Sequence, residues 1–124
     1  MSTPHAIRFS DLQPPRNDHY PDEKMRVKGN PMRSTTEYFA NAEHGMRSGL
    51  WSSEVGSYRI ALPLTRHEIF HVLSGLVQTI ADDGTTLSFG AGQSGVLPAG
   101  FQGIFEIIEA ASKLYVVVEQ PAKI

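Results

Sequence analysis

The sequence predicts an all-β domain, an antiparallel barrel or double-sheet sandwich of short strands. Three observations predict it. Residues 92–105, GQSGVLPAGFQGIF, set four glycines and a proline around a short apolar strand, with no charge in the run. Glycine there marks bends or close backbone approach, and proline sits at a strand end. A second such signal runs from Glu68 through the apolar residues to Leu73 and closes at Gly75. From Leu50 onward, apolar runs recur at roughly ten-residue spacing without a sustained 3.6-residue period.

The bulk properties narrow the class. A chain of 124 residues is one domain, long enough to bury a core without staples. It has no cysteine, which removes disulfides, thiolate metal sites and cysteine nucleophiles together and fits a reducing, cytoplasmic setting. No charged segment followed by an apolar stretch opens the chain, so no secretory signal is expected. Apolar runs break well short of a membrane-spanning length. The net charge of −2 and the lack of a basic patch make nucleic acid and anionic membranes poor partners.

Composition shifts near residue 46, which divides the chain into an N-terminal arm (1–45) and a barrel (46–124). Residues 1–31 hold five of the eight prolines, and 1–24 read as an extended arm that a partner subunit could order. Residues 33–39, RSTTEYF, are β-capable, with a short helix over Glu37–Glu43 as the alternative. Strands follow at Leu50–Glu54 and Ser57–Leu64, separated at Gly56. Glu68–Leu73 and Leu76–Ala81 read as a hairpin turning at Ser74–Gly75. Asp82-Asp83-Gly84 is a strong turn before Thr85–Phe89. Gly95–Leu97, Gly103–Glu109 and Leu114–Glu119 complete the set, with a turn over Ala110–Ser112. The arm offers a strand to a neighbour's sheet edge, and a homodimer is expected.

Several segments together carry a family resemblance: SGLW at 48–51, GSYRIAL at 56–62, HEIFHVLSG at 67–75, the turn at 82–84, FGAGQSGVLPAGFQGIFE at 89–106 and KLYVVVE at 113–119. Over about residues 46–120 the chain resembles a single-domain cupin, and among cupins the group related to the (S)-ureidoglycine aminohydrolase cupin domains. The resemblance implies a double-stranded β-helix, or jelly-roll barrel. Glu68 and Gly75 match the glutamate and glycine of the first cupin motif, and Gly92, Pro98 and Gly100 match the second. The two histidines of the first motif would fall near 61–64, which read Ala61, Leu62, Pro63 and Leu64, and the histidine of the second would fall at Gly103. Three of the four usual metal ligands are therefore missing. The aminohydrolase's own Glu–x–His pair, part of its manganese site, would fall at the same empty 61–64 stretch. Neither a metal nor another cofactor is expected.

Glu68 is the first candidate for function. It precedes Phe70 and Val72 at period two and so shares their face, which in this fold lines the barrel. An interior carboxylate is paired, metal-bound or solvated. Two readings stand: Glu68 binds a cation, anchors a ligand or acts as a base, or it pairs at the rim with a neighbouring arginine such as Arg66 or Arg59. His67 and His71, four apart on a strand, share a face opposite Glu68, so a metal site of all three needs a bulge. Gly103, Phe105 and Ile107 face inward. With Trp51, Tyr58, Phe70 and Phe101 they give an apolar interior that either binds a small organic ligand or is simply packed. Tyr58, Arg59 and Gln78 are the candidate polar anchors. Three functions remain: a metal-free small-molecule-binding domain, a metal-dependent enzyme on a nitrogenous or carboxylated metabolite, and a structural barrel with a filled interior.

Overall fold

The structure is a computed structural model that describes residues 3–120. Nine strands follow in chain order: β1 (Arg16–His19), β2 (Arg26–Lys28), β3 (Arg33–Asn41), β4 (Met46–Ser53), β5 (Gly56–Ala61), β6 (Arg66–Ala81), β7 (Thr86–Gly90), β8 (Ser94–Leu97) and β9 (Gln102–Glu119). All pairings are antiparallel. None of the described residues forms a helix long and apolar enough to cross a membrane.

Two long strands organise the barrel. β6 and β9 pair along almost their whole length. On its other edge β9 pairs with β5 through its first half and β4 through its second. The far edge of β6 takes β8 first and β7 later. The sheet therefore curls into two facing halves, one of order β1-β3-β4-β9-β6-β8 and the other β2-β5-β9-β6-β7. This is the expected all-β jelly-roll barrel.

The bend is where the sequence reading needs correction. Ser74–Gly75 is no hairpin, and Ala110–Ser112 is no turn, because β6 and β9 run straight through them. The β6–β9 register instead shifts in steps between Val72 and Val77. Such bulges add local twist and let one strand pass from one half of the sheet to the other. Gly75 sits at the bend with φ +83°, and a Cβ there would lie 2.2 Å from the Ala110 carbonyl oxygen. Both the left-handed backbone and the close approach demand glycine. The Asp82-Asp83-Gly84 turn holds as expected. The Asp83 carboxylate accepts the Thr85 N–H at 2.9 Å, and that backbone bond holds its carboxyl below the usual range.

The N-terminal region also differs from its expectation. β1 pairs with β3 of its own chain, and β2 pairs with β5. Ser34 donates to Asp18 at 2.7 Å, and the His19 Nε2 bonds the Thr35 hydroxyl at 2.9 Å, which fastens β1 to the edge. The 33–39 segment, by contrast, is the strand first expected there and not the alternative helix, and β3 pairs with β4 from Arg33 to Asn41.

The core lies between the two halves. Val72, Val77, Phe89 and Ile107 fill one end, and Phe70 and Phe105 stand between it and the other, Phe70 meeting Phe89 edge to face at 4.9 Å. Toward the other end the buried set becomes amphipathic: Tyr58, Trp51, Tyr115 and Lys113. That end holds a cavity.

Candidate functional site

The cavity has a volume of about 290 Å³ and is lined from six strands. Glu68 reaches it from β6, and Phe105, Lys113 and Tyr115 from β9. Trp51 and Arg47 come from β4, Tyr58 from β5, Arg33 and Glu37 from β3, and Leu97 from β8. Period-two alternation delivers these side chains. On β9, Gly103, Phe105, Ile107, Ala111, Lys113, Tyr115 and Val117 are all buried.

Glu68 does share the interior face with Phe70 and Val72. Its partner, however, is neither Arg66 nor Arg59. Arg66 pairs with Glu119 at 3.0 Å, and Arg59 lies on the outside, paired with Asp82 at 2.8 Å. Glu68 instead faces Lys113, whose Nζ donates to its Oε2 at 3.2 Å. The Lys113 side chain is only 7% exposed and that of Glu68 22%. Three aromatic rings surround the ammonium, with centroids at 4.5 Å (Trp51), 4.6 Å (Phe105) and 4.9 Å (Phe70). Cation–π attraction and one carboxylate thus offset the desolvation of the charge. Trp51 and Phe105 meet edge to face at 5.8 Å, which fixes the walls of this box.

A second polar cluster sits nearby. The Arg33 guanidinium lies over the Tyr58 ring, 4.6 Å from its centroid, while its buried Nε has no hydrogen-bond partner among the described residues. Neither Arg33 nor Arg47 forms an ion pair among the described residues. Burial pushes the Tyr58 phenol above its ordinary value, against the pull of Arg33. Burial, reinforced by Glu37, does the same to Tyr115. The charged lining is Arg33, Arg47 and Lys113 against Glu37 and Glu68, which leaves one positive charge in excess.

Four of the eight residues expected at the site therefore line the cavity: Trp51, Tyr58, Glu68 and Phe105. Phe70 lies just behind it as a wall of the lysine's box, and Phe101 packs against the core from outside the lining. Arg59 and Gln78 were expected as interior anchors and are not. Gln78 bonds Glu106 on the outer side, because the bulges in β6 turn Val77 and Thr79 inward instead. Lys113, Arg33 and Arg47 went unforeseen. The signal for Lys113 was its period-two spacing from Tyr115 and Val117, obscured because Leu114, Val116 and Val118 make the opposite face equally apolar.

The donors present do not fit the metal that cupins commonly hold. A Cβ at Gly103 would stand 2.3 Å from the Ile80 carbonyl oxygen, so no side chain fits there without moving β6. His67 and His71 face away from Glu68; the former accepts the Ala99 N–H at 2.9 Å and the latter bonds Ser94 at 2.8 Å. Among the described residues no three His, Cys, Asp or Glu side chains cluster in a way that could hold a metal ion.

Known proteins agree with this architecture. The structure resembles the EutQ protein of Clostridium difficile, with 21% identity, a TM-score of 0.66, and 92% of this chain and 86% of that one covered. A putative ethanolamine utilization protein Q from Salmonella typhimurium LT2 matches with 16% identity and a TM-score of 0.62, over 86% of this chain and 99% of that one. A protein of unknown function from Pseudomonas syringae pv. tomato matches at a TM-score of 0.71 and 21% identity, over 83% of this chain but only 44% of that one. A search of the curated proteins finds no match. The model of the EutQ-like cupin domain matches residues 41–115, more than half of the sequence and every strand from β4 to β8, and the chain belongs to that family.

Proposed function

We propose that this chain is a small-molecule-binding cupin that works without a bound transition metal and holds a small organic anion in the open end of its barrel. The observation that carries this reading is Arg33. Its Nε is buried without a hydrogen-bond partner among the described residues, at the edge of a cavity that has one more cation than carboxylate. A buried donor left unmade costs about 1–3 kcal/mol, and a ligand oxygen would recover it. The aromatic and aliphatic walls suit an apolar body, and the volume lies near the lower end of ligand pockets, about 300–1,000 Å³. Glu68 keeps the role of a site residue, as the counter-charge of Lys113.

The test is calorimetric titration with short-chain and aromatic monocarboxylates and with inorganic phosphate. At least one organic monoanion should bind, and Arg33→Gln should weaken it about tenfold or more by removing a charge-assisted hydrogen bond. Absence of binding by every organic anion at millimolar concentration would leave a filled structural barrel as the better account. Binding by inorganic phosphate alone would mean that the apolar walls play no part.

Three finer readings belong with this proposal. A kinship with the (S)-ureidoglycine aminohydrolase cupin domains rests on the segments at 48–51, 67–75 and 89–106, without that enzyme's reaction. The absence of cysteine supports a cytoplasmic setting. A homodimer is supported by the outer sheet face, where Val96, Ile69 and Val116 form one cross-strand row beside Met46 and Val118. Ile69 and Val96 there are about half exposed. Contiguous apolar patches of this kind mark association, and identical faces pair readily about a two-fold axis. Sedimentation should give twice the monomer mass at micromolar concentration and the monomer mass after Ile69→Glu; a monomer from the start would end the idea.

A further inference from the structure

We infer that Lys113 is a tethered cation that stands in for the metal ion of the fold, and that its ammonium is the inner anchor for an oxygen atom of the ligand. The inference rests on the small-anion reading above and deepens it. An ammonium has three N–H donors, and among the described residues Glu68 is the hydrogen-bond partner of this one. The group is more than nine-tenths buried, yet it lines the cavity. Beyond that carboxylate, the ring centroids of Trp51, Phe105 and Phe70 stand 4.5, 4.6 and 4.9 Å from the ammonium. A carboxylate, carbonyl or phosphoryl oxygen entering the cavity would complete its shell.

The surroundings are those of a cation site rather than of a solubilising surface lysine. Glu68 is the residue that matches the glutamate of the first cupin motif, and here that carboxylate meets an ammonium. The position expected to bring a histidine is Gly103, closed to any side chain by the Ile80 carbonyl. Rings on three sides and one carboxylate are the elements with which proteins bind free alkylammonium ions. The chain thus supplies its own cation and leaves one face of it toward the cavity. A ligand bound by Arg33 at the outer side and by Lys113 at the inner side would be held at two points, which orients it.

Two variants test this. Lys113→Ala removes the side chain beyond Cβ, and the missing piece is propylammonium. Added propylammonium should raise the variant's melting temperature in a saturable way, while propanol should not; equal effects of the two would overturn the cation site. Removing Lys113 alone leaves Glu68 without a partner, so the binding arm uses the double variant Lys113→Met/Glu68→Gln, which removes both charges at similar volume. Titrated with the monocarboxylate that binds the wild type, it should bind about tenfold more weakly or worse. Unchanged affinity would overturn the anchor role and leave the small-anion reading standing. Failure of the wild type to bind any organic anion removes the reading and the anchor together, while the propylammonium arm still decides the cation site.

Discussion

The two ends of the barrel interior are built from the same strands and do opposite things. At the packed end, Val72, Val77, Phe89 and Ile107 close on one another with almost no exposure. At the open end, farther along β6 and β9, the inward positions carry Glu68, Lys113 and Tyr115, and space remains between them. One pattern of inward-facing positions thus builds both a packed core and a polar-lined cavity. What differs is the chemistry placed on it.

That contrast can be broken in order of effect. Phe89→Ala at the packed end should destabilise the fold by about 3–5 kcal/mol, because a deleted core ring leaves a cavity as well as losing its transfer energy. Urea unfolding would measure this, and ligand affinity should stay within about twofold of wild type. A large loss of affinity with full folding would mean that the two ends are not separate. At the open end Lys113→Met alone should cost about 3 kcal/mol, near the lower edge of broken buried pairs since Glu68 keeps some solvent. The double variant with Glu68→Gln should recover most of that loss. Equal destabilisation by single and double variants would show that Lys113 stabilises through packing and not through its charge.

The smallest effect is on pH. The folded state holds Tyr58 and Tyr115 protonated above their ordinary value, chiefly by burial. The unfolded chain then releases protons first as pH passes about 10, so ν_U falls below ν_N and stability declines there. Below that pH the contribution is fully present; it is lost as pH rises toward the folded-state values. Tyr58→Phe should flatten this alkaline decline in denaturation curves taken between about pH 9 and pH 11. An unchanged slope would assign the decline elsewhere.

How much of this was legible depends on what local pattern can carry. Period two placed Glu68 with Phe70, and Phe105 with Ile107, because alternation is a property of each strand by itself. It failed at Gln78, since register steps between β6 and β9 are a property of two strands and reverse the inward set beyond Leu76. The turns at Ser74–Gly75 and Ala110–Ser112 failed for the same reason: polar and small residues mark a bend as readily as a reversal, and only the partner strand decides. Lys113 was hidden by a strand apolar on both faces. Arg33 and Arg47 were hidden because their strands meet the cavity only after the sheet curls. The missing histidines were readable directly, and Gly103 shows why the position is bare: the neighbouring backbone already occupies the space.

The Lys113–Glu68 pair has a consequence for supply. A metal ion has to be acquired, is shared with competing proteins, and is stripped by chelators or exchanged for a commoner neighbour in the periodic table. A lysine arrives with every chain, at one per barrel, from the moment the strand is in place. The interior charge is therefore independent of the metal content of the cell and indifferent to chelators. It is as permanent as the sequence that encodes it.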